Sequence, residues 1–135
     1  MRKWLTYLVA LFCVVACTTN KKIVVFGEGD KQLSFSSLHK DLGTIIEGDV
    51  KVFEYEFSNT GKSSVTILKA VPTCGCISME LPSAAIEPNN KGKIKTVFDS
   101  DGKNGLHKKS IVVQTSLPYP NDIINLSFEV EVKTP

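Results

Sequence analysis

Ile124, Leu126, Phe128, Val130 and Val132 alternate without a break with Asn125, Ser127, Glu129, Glu131 and Lys133. A period of two along the backbone puts successive side chains on opposite faces, so this run predicts a strand with one buried face. Phe53, Tyr55 and Phe57 alternate with Glu54 and Glu56 in the same way, and Ile94, Thr96 and Phe98 alternate with Lys93, Lys95 and Val97. Ile111, Val113 and Thr115 share one face of a strand over 109–115, and Val65 to Val71 gives another that stops at Pro72. Between these runs lie turn-rich segments: Ser58-Asn-Thr-Gly-Lys62, Ile86-Glu-Pro-Asn-Asn-Lys-Gly92 and Asp99-Ser-Asp-Gly-Lys-Asn-Gly105. Gly61 is read there as the residue able to take positive φ. Pro118 and Pro120 keep residues 116–122 out of any central strand.

No part of the chain after its apolar leader sustains a helical period. Six or seven strands separated by turn chemistry predict an antiparallel β-sandwich over residues 31–135. The expected core is Phe53, Tyr55, Phe57, Val65, Ile67, Ile94, Phe98, Ile111, Val113, Leu126, Phe128 and Val130.

The N-terminus follows a different pattern. Arg2 and Lys3 precede an apolar run from Trp4 to Ala16, which ends in Val14-Val15-Ala16-Cys17. This is the form of a secretory signal with a lipoprotein cleavage box, the small Ala16 at the cut and the Cys17 thiol available for a diacylglyceryl thioether. The run is too short for a membrane span, which needs roughly 20 residues. Residues 1–16 are therefore expected to be removed. Residues 17–30 then form a lipidated N-terminus and tether, within which Ile23 to Phe26 could make a short strand. Thr18 and Thr19 carry no acidic retention signal, which directs the expectation to a bacterial outer membrane, facing the periplasm.

Charge changes with this cleavage. The whole chain has 16 Lys+Arg against 14 Asp+Glu, but Arg2 and Lys3 leave with the signal, so the processed chain is balanced and has no arginine. Without net positive charge there is little counterion-release drive toward nucleic acid.

Cys74-Gly75-Cys76 is the one constellation able to do chemistry. Three outcomes compete: a mutual disulfide, a thiol pair holding a soft ion such as Cu(I), or pairing with another molecule. Zinc ordinarily wants four ligands. The remaining histidines, His39 and His107, read as solvated loop residues. Asp99, Asp101 and Asp122 read as solvated turn carboxylates, too few for a calcium loop. Lys91, Lys93 and Lys95 form a row read as protection of an edge strand. Asn125-Leu-Ser127 matches a glycosylation sequon but falls inside a strand. No Ser-His-Asp set, phosphate loop or nucleotide fingerprint is present, so no catalytic residue, cofactor or small-molecule substrate is expected.

Several segments together resemble a known family. Asp41-Leu-Gly-Thr-Ile-Ile-Glu-Gly-Asp49 precedes the aromatic strand ending in Phe57-Ser-Asn-Thr-Gly61. Thr73-Cys-Gly-Cys76, Ile86-Glu-Pro88 with Gly92, Phe98-Asp99 and Gly105 follow in order. From roughly Leu38 to Val132 the chain is similar to the domain of unknown function 1573 family, small immunoglobulin-like domains common in bacterial exported lipoproteins. The sharpest motifs are the Asn59-Thr60-Gly61 turn and the Cys-Gly-Cys. The chain departs from the family pattern at Pro88-Asn89-Asn90, where Pro-Gly is usual. The resemblance implies an immunoglobulin-like sandwich in the envelope and supplies no reaction. The function expected is a lipid-anchored, non-enzymatic envelope protein that binds a protein partner. The alternative is a thiol-active redox partner or copper-binding protein working through Cys74 and Cys76.

Overall fold

The computed structural model describes residues 32–135. The signal, Cys17 and the expected strand at Ile23–Phe26 lie outside the described residues. Eight strands follow in order: β1 (Leu33–Phe35), β2 (His39–Ile46), β3 (Val50–Asn59), β4 (Ile67–Pro72), β5 (Ile77–Glu80), β6 (Lys91–Asp99), β7 (Gly105–Thr115) and β8 (Ile123–Lys133). They form two four-stranded sheets, ordered β1-β3-β6-β5 and β2-β8-β7-β4. The described residues contain no helix. Pairing is antiparallel except between β2 and β8, which run parallel.

The alternating runs supply the core. Tyr55, Phe57, Ile94, Phe98, Ile111, Val113, Leu126, Phe128 and Val130 are buried between the sheets. Phe53 is half-buried at the core's margin, with its ring edge-on to Tyr55 and Phe128 at 5.6 and 5.0 Å. Leu33, Ile45, Ile77, Ile86, Leu117 and Val132 complete the core beyond the expected list. Tyr55 places a hydroxyl in this apolar layer and donates it to the Ser127 carbonyl at 2.7 Å, which satisfies a polar group that would otherwise be costly to bury. Burial pushes the phenol above its usual range.

Three local expectations change. The lysine row sits on β6, which is central between β3 and β5. Its partners across the strands are acidic: Lys93 reaches Glu54 at 2.8 Å and Lys95 reaches Glu80 at 3.5 Å. The row is one half of a charged ladder on an exposed sheet face, and its hydrogen bond to Glu54 raises the Lys93 pKa. Gly61 keeps negative φ; a side chain there would come within 2.8 Å of Gln32, so close approach requires the glycine. Among the described residues other than glycine, positive φ falls on Asn89, at 65°. The histidines lie in strands, not loops. His39 opens β2 and contacts Ser127 Oγ at 3.0 Å, and His107 lies in β7 with Nε2 3.1 Å from the Asn104 carbonyl.

The sandwich has two distinct poles. Leu33 pairs with Asn59, so the described chain enters beside the end of β3. β3 starts at the opposite pole, where Val50 pairs with Asp99. Ten extended residues separate these poles by about 30 Å.

Candidate functional site

Cys74 and Cys76 are joined by a disulfide, with their Cα atoms 5.2 Å apart. They lie in a turn, not in an extended strand, and this turn carries the chain from β4 in one sheet to β5 in the other. The backbone explains why the chain turns here. Thr73 N–H donates to the Ser110 carbonyl at 3.0 Å, and the Thr73 hydroxyl accepts from Ser110 N–H at 3.3 Å. The hydroxyl takes the place of the next carbonyl, so the ladder between β4 and β7 ends at this residue. Cys76 N–H then points at Cys74 Sγ (3.2 Å), Ile77 N–H closes on the Cys74 carbonyl (3.2 Å), and the Cys76 carbonyl accepts from Asp99 N–H at 2.9 Å.

Both cysteines are half-buried against the core, whereas Gly75 is exposed with open space around it. A loop this short gains only about 1–2 kcal/mol of chain-entropy stabilisation. Locking the turn is the clearer physical consequence. With the sulfurs bonded to one another, neither is available as a thiolate for a soft ion. Among the described residues, no three histidine, cysteine or carboxylate side chains are grouped to hold a metal.

The other residues singled out by sequence fall elsewhere. Asn59, Thr60 and Gly61 form the turn at the opposite pole. Asn59 is fully buried; its amide donates to the carbonyls of Ser63 (2.8 Å) and Ile86 (2.7 Å) while its oxygen accepts from Gly61 N–H (2.9 Å). This side chain binds two loops together and is not exposed to a ligand. Asp99 closes β6 instead of lying in a turn, and Asp101 lies in the turn beyond it; both are exposed, with Asp101 N–H donating to the Asp99 carboxylate at 3.0 Å. Asp122 departs from the solvated setting expected of it, since its Oδ1 is buried.

A half-open groove of about 630 Å³ lies at the pole where the described chain enters, lined by Leu33, Phe35, Leu38, Leu117, Pro120 and Ile123 among others. None of its described lining residues is charged. Sequence reasoning missed Thr73 and Ser110. Their role depends on a contact between residues 37 apart, and no local motif signals it.

Solved structures with similar architecture come from unrelated contexts. A protein of unknown function from Porphyromonas gingivalis superposes with a TM-score of 0.63 at 13% identity, covering 73% of this chain and 46% of that one. The VesB protease of Vibrio cholerae gives 0.58 at 12% identity, covering 76% of this chain and 32% of the protease. The PapD-like domain 7 of human CEP192 gives 0.55 at 16% identity, covering 78% of this chain and 86% of that domain. This chain thus spans less than half of the two bacterial proteins. At these identities the likeness shows the immunoglobulin-like fold alone. No curated protein matches the sequence significantly. The family model for a protein of unknown function, DUF1573, matches residues 33–132, nearly the whole sandwich, and the chain belongs to that family.

Proposed function

We propose that this is a lipid-anchored protein of a bacterial envelope, non-enzymatic, whose sandwich holds a protein partner at the pole bearing the disulfide. The supporting observation is the opposition of the two poles. The described chain enters beside Asn59–Gly61, and the locked Cys74–Cys76 turn stands at the other end of β3. If acyl chains on Cys17 fasten the N-terminus, residues 18–31 allow a reach of at most about 50 Å. The disulfide end then faces away from the bilayer, toward other envelope components. Several acyl chains make such attachment stable, at about 0.8 kcal/mol per buried CH₂. Location at the outer membrane, facing the periplasm, belongs to the same reading.

A photo-crosslinking residue tests the polarity in intact cells. At Gly75 a side chain meets open space, and at Tyr119, on the loop that borders the entry-pole groove, the side chain is 89% exposed. A discrete protein adduct is expected from position 75 and none from position 119. Adducts from 119 alone would reverse the assignment.

A further inference from the structure

We infer that the stretch of β7 from Leu106 to Lys109, unpaired on its side away from β8 among the described residues, is a strand-addition site for an extended acidic segment of a protein partner. The inference deepens the binding role proposed above by naming the surface and the chemistry of what it takes.

The edge arises from a mismatch in strand length. β8 pairs with β7 from Gly105 to Gln114, whereas β4 covers β7 only from Ile111 to Thr115. Ser110 exchanges both its backbone bonds with Thr73, so its N–H and C=O point away from β8. Antiparallel backbones alternate in this respect with a period of two. The register with β8 runs without a shift through this stretch, so Leu106 and Lys108 point their N–H and C=O the same way. Neither has a backbone partner among the described residues. β4 cannot continue alongside, because Thr73 ends the ladder and the disulfide turns the chain into the other sheet. The locked turn therefore keeps β4 from covering this edge.

The outermost strands of each sheet are blunted in ways that protect it from pairing, while Val50–Tyr55 of β3 is also left unpaired by β1 among the described residues. β1 has three residues and β5 four. β2 is interrupted by a register shift between Asp41 and Thr44, where Gly43 has φ of +70° and donates its N–H to the Asp41 carboxylate. β4 carries a shift between Ile67 and Lys69 and ends in Pro72. The β7 stretch has neither bulge nor proline.

Its side chains select an acidic visitor. Lys108 lies on the outer face, 3.0 Å from Glu129 of β8, beside Leu106, which is 59% exposed. His107 and Lys109 lie on the opposite face, half-buried, and Lys109 has no ion pair among the described residues. Lys103 in the adjoining loop donates to the Asp101 carbonyl and sits 6.0 Å from the centre of the Phe98 ring. Acidic side chains at alternate positions of an added strand share one face, so they would meet Lys108 or Lys109 according to register. A second copy adding its own β7 would instead bring lysine against lysine, which disfavours self-pairing.

The test is amide hydrogen exchange on the purified chain with a capped octapeptide of alternating valine and glutamate, compared with its valine–lysine counterpart. At millimolar concentration the acidic peptide should slow exchange at Leu106 and Lys108 by at least about tenfold, leaving Val112 and Leu126 unchanged. The lysine peptide should give no slowing. Leu106→Pro removes an outward N–H and no bond to β8, so the β8 amides report that the fold survives, and the protection at Lys108 should vanish. The pair Lys108→Glu with Lys109→Glu should reverse the peptide preference. No protection by either peptide, protection that survives Leu106→Pro, or protection at another edge would overturn the site. Equal protection by both peptides would overturn the acidic selectivity, and protection rising with protein concentration alone would replace the partner with a second copy. Adduct formation from position 75 is a separate readout, so failure here leaves the broader binding role standing or falling on its own test.

Discussion

Phe128→Ala is expected to lower the unfolding free energy by about 3–5 kcal/mol, the range for removing a fully buried aromatic ring. Phe128 has no exposed surface. Its ring, from β8, lies 5.0 Å from Phe53 of β3 and 5.4 Å from Phe98 of β6, edge-on to both. It thus joins one sheet to the other at the centre of the sandwich. Each such aromatic pair contributes about 0.5–1.5 kcal/mol beyond area burial, and these contacts are lost together with the cavity term. Domains of this size hold only about 5–15 kcal/mol in total, so the variant should keep its fold with a much lower urea midpoint. A loss below about 1 kcal/mol would mean that the ring is not at the inter-sheet contact.

Asn59→Ala should cost about 2–4 kcal/mol, although the side chain is small and polar. Three hydrogen bonds disappear, and the Ile86 carbonyl keeps only the bond it accepts from Val65 N–H. Each such bond has a net worth of about 0.5–1.5 kcal/mol, so the three together account for the loss. The Asn59 backbone stays paired, donating to the Asn90 carbonyl and accepting from Asn89 N–H. The effect should therefore be local: faster amide exchange at Gly61 and in the loop around Ile86, and a lower urea midpoint with an unchanged slope. Loss of a few tenths of a kcal/mol would show that water replaces the amide at no cost.

Strands with one buried face were readable from sequence, and those without one were not. β3, β6 and β8 announce themselves through Tyr55 and Phe57, Ile94 and Phe98, and Leu126 to Val130, because each faces the core on alternate residues. β2 hides because its register shift breaks the alternation and Ile45 is its single buried residue. Its parallel pairing with β8 joins His39 to Ser127, a contact too distant along the chain for any local pattern to encode. The lysines of β6 looked like an edge because sequence shows one strand at a time, while their acidic partners, Glu54 and Glu80, sit on two others. The cysteines of the candidate site were plain, but their setting in a turn depends on Thr73 meeting Ser110. The open edge of β7 is a difference between the lengths of two neighbours, which no single segment carries.

Attachment to the envelope depends on acylation of Cys17, and metabolic labelling with a tagged fatty acid tests it most directly. The wild-type chain should incorporate label and sediment with membranes, while Cys17→Ser should lose both properties and retain its leader. Label carried equally by the Cys17→Ser chain, or an unlabelled wild-type chain recovered in the soluble fraction, would contradict it.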